Sequence, residues 1–362
     1  MDRFRRLLHI RVRPSASQGL IRLLHIVGEC EKRIFGLRPA ERLRRQMKGH
    51  DDVDVVAHAS AVLDDAALSW LIENRGTIVG SASGLPLAVS VEPGRLIDAS
   101  ALDGEIVIPA GEQFVRKLRR RVEVAAHSVA DEPVPAVEKR LFGNVYKGVT
   151  DIVTKYAWPW PAFHVTRAVS RLGITPNMVT SVGLVLVFVA AWFFYQGEIA
   201  AGLVAAWLMT FLDTVDGKLA RATVTSSPFG NFLDHGTDII HPPIWWYCLA
   251  HGVAAIDPAQ AERIWPGFWI ILGSYVAGRI VEIAFHRVFG FNQFIWQRFD
   301  SRFRLIVSRR NIILLIMTVG LILGAATDAF LLCAGWSIVS TIIQGVRIGQ
   351  AYASRPIASW LY

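Results

Sequence analysis

Apolar and polar residues alternate differently in the two halves of this 362-residue chain. Up to about residue 140, short apolar runs such as DVDVVAHAS and LPLAVSVE alternate with polar, helix-like stretches such as RPAERLRRQMK. Short strands interleaved with helices are typical of an α/β domain. After Pro176 the apolar runs become much longer and recur to the end of the chain. The pattern predicts a small N-terminal α/β domain, residues 1–140, followed by a membrane domain, residues 148–362.

The second half contains six apolar segments long enough to cross a bilayer. Each has about 17–24 residues, close to the ~20 that a transmembrane helix needs. Ahead of them, residues 148–175 mix Trp, Phe and Val with Lys and Arg, which predicts an interfacial amphipathic helix interrupted at Pro159 and Pro161. We expect an α-helical polytopic membrane protein with spans at residues 177–195, 199–219, 231–252, 264–286, 311–327 and 329–350.

The positions of Lys and Arg predict the orientation of these helices. The connections near Gln196 and Asp328 contain no Lys or Arg, whereas the segment between the fourth and fifth spans is rich in Arg. By the positive-inside rule, both termini and the Arg-rich segment face the cytoplasm of a multi-pass inner-membrane protein. The net charge of +8 is explained by anionic lipids and phosphorylated substrates, so we expect no nucleic-acid partner.

Four aspartates interrupt the apolar half, at Asp213, Asp216, Asp234 and Asp238. A carboxylate at membrane depth costs at least ~2.5–3.5 kcal/mol, so such residues are functional by default. The first two are three residues apart and the last two are four apart, so each pair shares one face of a helix. Two such helices together present oxygen ligands, which suit Mg²⁺ or Mn²⁺ better than Zn²⁺ because no Cys or paired His accompanies them. The spacing predicts a divalent metal site, with two ions.

The residues between these aspartates complete a recognisable signature. The segment reads D-x₂-D-G-x₂-A-R-x₈-G-x₃-D-x₃-D, with Gly217, Ala220, Arg221 and Gly230 in the other fixed positions. It resembles the signature of the CDP-alcohol phosphotransferase (CDP-alcohol phosphatidyltransferase) family of integral membrane enzymes. The resemblance implies transfer of a phospho-alcohol group from a CDP-alcohol to an acceptor hydroxyl with release of CMP, in phospholipid or phosphodiester synthesis.

The resemblance also implies roles for individual residues. Asp238 would be the general base for the acceptor hydroxyl as well as a metal ligand. The CDP-alcohol would contact Asn177, Thr180, Asp213, Gly217, Ala220, Arg221 and Gly230. Asn177 and Thr180 belong to a PN-x-x-T sequence at the first span, where a plain helix-start signal is an equally good interpretation. Lys218 is expected to be a solvated interfacial lysine.

Charged residues at the same end of later spans predict an acceptor site. Arg279 and Glu282 share a face of the fourth span, and Arg309 and Arg310 precede the fifth. In the family, basic residues here bind the phosphate of an acceptor such as inositol phosphate or glycerol phosphate. A structural ion pair and topological arginines are the plainer interpretations, and both stay open. The GxxxG at Gly320 is a weak indication of a homodimer.

Some members of the family carry a sugar-phosphate cytidylyltransferase domain ahead of the membrane part, and residues 1–140 occupy that position. The segment from Gly28 to Arg45 lies where the glycine-rich nucleotide loop is expected, but it contains no G-x-G. We therefore expect a degenerate nucleotidyltransferase-like domain without activity of its own, with a bifunctional enzyme of inositol phosphate type as the alternative. A cation-binding membrane transporter is the rival from another class, although no internal repeat supports it.

Overall fold

The structure is a computed structural model that describes residues 24–50, 52–92, 99–116, 118–226 and 228–362, with the side chains at 99, 228, 229 and 231–235 outside the described set. The strands are β1 (Leu24–Val27), β2 (Asp54–His58), β3 (Ala61–Leu63), β4 (Ile78–Gly80), β5 (Pro86–Val91), β6 (Ile106–Val107), β7 (Glu112–Val115), β8 (Arg120–Glu123) and β9 (Ala126–Ser128). The helices are α1 (Pro39–Gln46), α2 (Asp65–Glu73), α3 (Val134–Asn144), α4 (Pro159–Arg171), α5 (Pro176–Tyr195), α6 (Ile199–Ala222), α7 (Pro228–Ile256), α8 (Ala261–Phe289), α9 (Arg298–Phe303), α10 (Arg310–Ile322) and α11 (Ala326–Ala353).

Residues 24–128, here called the N-terminal α/β region, contain a five-stranded mixed sheet in the order β1-β2-β5-β4-β6. The pairs β1–β2 and β4–β6 are parallel, and the other two pairs are antiparallel. Helix α2 begins where the Asp64 carboxylate accepts a 2.7 Å hydrogen bond from the backbone N–H of Ala67. Such a cap satisfies a backbone donor that the helix itself leaves unpaired. Leu71 and Leu87 are fully buried in the core of this region.

The second half of the chain is helical, as the long apolar runs predict. Four segments are long and apolar enough to cross a membrane: Pro176–Tyr195, Ile199–Ala222, Pro258–Phe289 and Ala326–Ala353. Helix α10 is apolar but shorter than these four, and helix α7 contains side chains outside the described set. The finding is therefore a mostly helical chain with four candidate spans among the described residues.

The helices that carry the aspartates are fixed by a shared apolar core. Trp245 of α7 is almost fully buried and donates its indole N–H to the carbonyl of Val187 on α5 at 2.9 Å. A Cβ on Gly252 would lie only 1.9 Å from the carbonyl oxygen of Phe194, so a larger residue would force α5 and α7 apart. This packing fixes α7 beside α5 and, through the same core, beside α6.

The GxxxG segment packs within the chain. A Cβ on Gly320 would lie 2.1 Å from the Cβ of Ala329, so the absent side chain allows α10 to approach α11. Gly324 lies after the end of α10 and has φ +69°, a conformation that glycine adopts without strain. The two glycines therefore serve a tight helix–helix turn, and the pattern gives no support to a dimer face.

Candidate metal and phosphate site

One guanidinium links the two aspartate-bearing helices. Arg310, the first residue of α10, donates a 2.8 Å hydrogen bond to Oδ2 of Asp213 on α6 and another of 2.8 Å to Oδ1 of Asp238 on α7. The sequence predicted Asp213 and Asp238 as metal ligands and Arg310 as an acceptor-binding residue, and the fold brings all three together. Two carboxylates from different helices thus share one cationic group, which relieves their mutual repulsion.

The second aspartate of the signature is held by the start of α5. The Thr180 hydroxyl lies 2.6 Å from Oδ2 of Asp216, which is 5% exposed, and also lies 3.1 Å from the carbonyl of Pro176. The helix-start interpretation of the PN-x-x-T sequence is confirmed, because Thr175 caps α5 and Pro176 occupies its first turn, and the contact with a CDP-alcohol stays a prediction. Asn177 is exposed, one turn before Thr180. Asp234 lies on α7, but its side chain is outside the described residues.

His241 completes the surroundings of Arg310. Its Nδ1 lies 2.6 Å from the carbonyl oxygen of Thr237, which can only accept, so Nδ1 carries the proton. Its Nε2 is therefore an acceptor, and it lies 3.2 Å from the guanidinium of Arg310. The imidazole thus orients the arginine that bridges Asp213 and Asp238. This contact gives His241 a positioning role.

Lys218 and Arg221 are the basic residues of the signature on α6, and Lys218 is more buried than the sequence predicted. Lys218 is 5% exposed, and its ammonium lies 4.0 Å from the centre of the Tyr146 ring, so the expectation of a solvated lysine was wrong. The aromatic face offers a desolvated ammonium a favourable partner. Arg221 donates a 3.1 Å hydrogen bond to the carbonyl of Val145, and its guanidinium lies 3.4 Å from the place where a Cβ of Gly217 would be. The small residue therefore leaves room for Arg221 along the helix.

A cavity of about 100 Å³ adjoins Asp238. Its charged and polar lining consists of Asp151, Asp238, Tyr275, Arg279, Arg304, Arg309, Arg310 and Asn311. Four arginines here surround one space, and three of them are the arginines predicted for the acceptor. A cluster of this kind binds phosphate or carboxylate well, because each guanidinium offers several donors in a fixed plane.

The sequence analysis missed four charged or polar members of this cavity, Arg304, Asp151, Tyr275 and Asn311, of which the first two are charged. Burial, with Arg309 nearby, lowers the pKa of Arg304 to about 9, and its Nε and one terminal nitrogen have no hydrogen-bond partner among the described residues. Burial acts to raise the pKa of Asp151, but Arg304 and hydrogen bonds from Thr154 and Asn311 outweigh it, and the net pKa is lowered. The sequence signal was present in the Arg-rich segment, where Arg304 was counted only for topology.

Glu282 belongs to an ion-pair network. It pairs with Arg309, and its second oxygen lies 3.7 Å from Arg279. Arg119 of the N-terminal α/β region lies close enough to Glu282 and Arg309 for electrostatic interaction with both. The structural ion pair considered from sequence is thus present, and it holds two of the cavity arginines in place.

Comparison with known proteins finds relatives of the second half of the chain. Residues 173–344 match the family model described as CDP-alcohol phosphatidyltransferase. Over 79 residues the chain is 43% identical to the archaetidylinositol phosphate synthase of Pyrococcus horikoshii, and this match covers 22% of this chain and 42% of that protein. Over 134 residues it is 36% identical to the phosphatidylinositol phosphate synthase of Streptomyces avermitilis, and this match covers 31% of this chain and 53% of that protein. The chain therefore spans about half the length of the curated relatives it matches.

Solved structures of the phosphatidylinositol phosphate synthase of Mycobacterium tuberculosis are also similar. The structure with CDP-DAG bound has a TM-score of 0.42 at 20% identity and covers 54% of this chain and 98% of the other. The structure in complex with manganese and citrate has a TM-score of 0.40 at 22% identity, and the match covers 56% of this chain and 99% of the other.

Proposed function

Because residues 173–344 form a CDP-alcohol phosphatidyltransferase domain, we propose that the protein transfers a phospho-alcohol group from a CDP-alcohol to an acceptor hydroxyl and releases CMP. The observation that carries the proposal is the convergence of Asp213 and Asp238 on one cation, Arg310, beside a cavity with four arginines. The carboxylates suit a cation-dependent phosphate site, and the arginines suit a second, anionic substrate. Phospholipid or phosphodiester synthesis is the corresponding role.

The carboxylates fit a divalent metal by their chemistry. Asp213 and Asp238 present anionic oxygens from neighbouring helices, Asp216 lies three residues after Asp213 on α6, and Asp234 lies four residues before Asp238 on α7. Such hard donors suit Mg²⁺ or Mn²⁺, and we propose that the four aspartates hold two ions. When bound, the metal supplies neutralisation of charge on the pyrophosphate and on the CMP leaving group. In this proposal the CDP-alcohol lies against the backbone at Gly217, Ala220 and Gly230 and against Arg221.

Asp238 takes the acceptor proton in this proposal. It lines the cavity with four arginines and shares Arg310 with Asp213, which supports a position next to both substrates. Arg279, Arg304 and Arg309 line the cavity and would hold the phosphate of a phosphorylated polyol with its hydroxyl towards Asp238. A base in this position acts by accepting the proton as the hydroxyl attacks. Glu282 would then position Arg309 and contact no substrate.

The arrangement in the membrane follows from the helices and the charge pattern. We propose that α7 and α10 cross the bilayer in addition to the four candidate spans, which gives six spans and places both termini and the aspartates on the cytoplasmic side of the inner membrane. We further propose two domains, residues 1–140 and 148–362, of which the first is a degenerate nucleotidyltransferase-like domain. A homodimer also stays a proposal.

Release of CMP from candidate CDP-alcohols by the purified full-length protein tests this function. Activity should require Mg²⁺ or Mn²⁺, stop with EDTA, and fall by about 10²–10⁴-fold in Asp238→Asn, the contribution typical of a positioned base. Asp328→Asn is the matched control, because Asp328 is an exposed carboxylate elsewhere in the membrane half. Full activity in EDTA, or an active Asp238→Asn variant, would contradict the proposal.

A further inference from the structure

A second, larger cavity lies where the N-terminal α/β region meets the end of α6. It measures about 700 Å³, within the ~300–1,000 Å³ typical of small-molecule sites. Its lining includes cationic residues from α1 and its following turn, carboxylates at the start of α2, and residues at the end of α6. The residues that carry the argument are Arg42, Arg45, Lys48, Asp64, Asp65 and Arg221.

The cavity continues the face of α6 that bears the aspartates. Ala220 lines it, and Ala220 follows Asp213 by seven residues and Asp216 by four, so all three lie on one helical face. Seven residues of helix correspond to about 10 Å. Arg221 connects the two places, because it lines the cavity while its guanidinium lies beside Gly217. A ligand with phosphates at the aspartates would extend along this face of α6 towards the cavity.

The N-terminal α/β region is fixed to the wall of this cavity. Arg42 donates to the carbonyl of Ala222, and Arg45 donates a 3.1 Å hydrogen bond to the carbonyl of Thr223, so α1 binds the last turn of α6. Arg42 is 3% exposed, and its Nε has no hydrogen-bond partner among the described residues. Leaving a buried donor of a charged group unpaired is costly, which points to a polar ligand.

We propose that this cavity receives the cytosine nucleoside end of the donor, so that the N-terminal α/β region forms part of the nucleotide site. The inference rests on the proposed function. Cytosine offers an amino group as donor and its carbonyl oxygen and a ring nitrogen as acceptors, and ribose offers hydroxyls of both kinds. In the proposal, Asp65 accepts from the amino group or a hydroxyl, and Arg42, Arg45 and Lys48 donate to the acceptors. The region thereby takes a binding role without any cytidylyl transfer.

Equilibrium binding of CMP to the full-length protein in detergent with Mg²⁺ tests the inference, with inorganic pyrophosphate as a second probe. Lys48→Gln changes a cationic lining residue and Asp65→Asn an anionic one, and Lys139→Gln removes an exposed charge that does not line the cavity. Both cavity variants should weaken CMP binding by about 10–150-fold, as expected for a lost hydrogen bond to a charged group, and leave pyrophosphate binding within about 2-fold. Lys139→Gln should match the wild type, and thermal melting confirms that each variant is folded.

Three results would overturn the inference: no CMP binding by the wild type, wild-type CMP affinity in both cavity variants, or an equal loss of pyrophosphate affinity. An equal loss of pyrophosphate affinity would mean that the cavity residues contribute only to the binding of phosphate charge. CMP release in the transfer assay is measured on the same preparations. If transfer occurs while the cavity variants bind CMP normally, the proposed function stands and only the role of the cavity fails; if the wild type binds CMP but transfers nothing, the proposed function fails.

Discussion

The Thr180 hydroxyl donates a 2.6 Å hydrogen bond to Oδ2 of Asp216, which ties the first turn of α5 to the middle of the signature on α6. The carboxylate is 5% exposed, so its orientation depends on such contacts more than on water. A hydrogen bond of this kind fixes the rotamer of a metal-binding carboxylate and limits the directions in which its free oxygen points. Thr180 is therefore a positioning residue in the proposed metal site.

Thr180→Val should weaken divalent metal binding, because valine keeps the shape of threonine but cannot donate to Asp216. Loss of such an outer contact typically lowers metal affinity by about 10–100-fold. Mn²⁺ titration followed by electron paramagnetic resonance measures this directly, without turnover. Ser181→Ala is the matched control, since the Ser181 hydroxyl bonds only to the carbonyl of Asn177 one turn away and is exposed. Equal Mn²⁺ affinity in the two variants would exclude the positioning role.

Arg310→Gln should make thermal stability depend on divalent metal. Without the guanidinium, Asp213 and Asp238 lose the cation they share, and the repulsion between them destabilises the α6–α7 contact. We expect a lower melting temperature than wild type in EDTA and a larger rise on addition of Mn²⁺. Arg347→Gln is the control, because it also removes an arginine with two hydrogen bonds to a carboxylate, that of Asp300, at a place outside the aspartate signature. An equal Mn²⁺ response in the two variants would contradict the prediction.

Arg304→Gln should raise the KM for a phosphorylated acceptor by about 10-fold or more and leave the KM for the CDP-alcohol nearly unchanged. That pattern indicates a binding contact to one substrate, present in both ground and transition states. Steady-state kinetics with each substrate varied in turn provide the measurement. The same result is expected for Arg279→Gln and Arg309→Gln, and Arg287→Gln, an exposed arginine at the end of α8, should behave as wild type. An unchanged acceptor KM in all three cavity variants would mean that these arginines are structural.

The stability of the protein should fall as pH rises from about 4 to about 6, through the titration of Asp64. Burial raises the pKa of this carboxyl to about 6 from its ordinary 3.8, so the folded state binds the proton more tightly than the unfolded state does. Its contribution is therefore full at low pH and is lost as pH rises through this window, by on the order of 3 kcal/mol at most. Asp64→Asn should flatten the pH dependence of the melting temperature, and Asp103→Asn, at an exposed position, should leave it unchanged.

The N-terminal α/β region should release no pyrophosphate from CTP. Cytidylyl transfer needs donors that surround a triphosphate, and the segment at Gly28 instead offers Glu29 and Glu31 close to a single glycine. The full-length protein with CTP and either inositol phosphate or glycerol phosphate provides the assay, with a known cytidylyltransferase as positive control. Pyrophosphate release with either acceptor would show a bifunctional enzyme and would identify the CDP-alcohol that it makes.

The sequence by itself determined the parts of this protein that depend on local spacing. Apolar runs of spanning length have to become helices, because only a helix satisfies the backbone groups of a single segment inside a bilayer. Asp213 and Asp216 share a face for the same periodic reason, and the residues around them predicted the family whose model matches residues 173–344. Arg279 and Arg309 line one cavity, and their role in acceptor binding stays a prediction.

Tertiary structure alone decided which charges meet. Arg310 is 97 residues from Asp213 along the chain and 72 from Asp238, and no periodicity predicts a guanidinium between them. Lys218 was expected in solvent, but α3 and the Tyr146 ring that follows it cover this face of α6, and a residue's burial depends on what the distant chain packs against it. The cavity that joins α1 to the end of α6 is of the same kind, because it exists only where two parts of the chain that are distant in sequence come into contact.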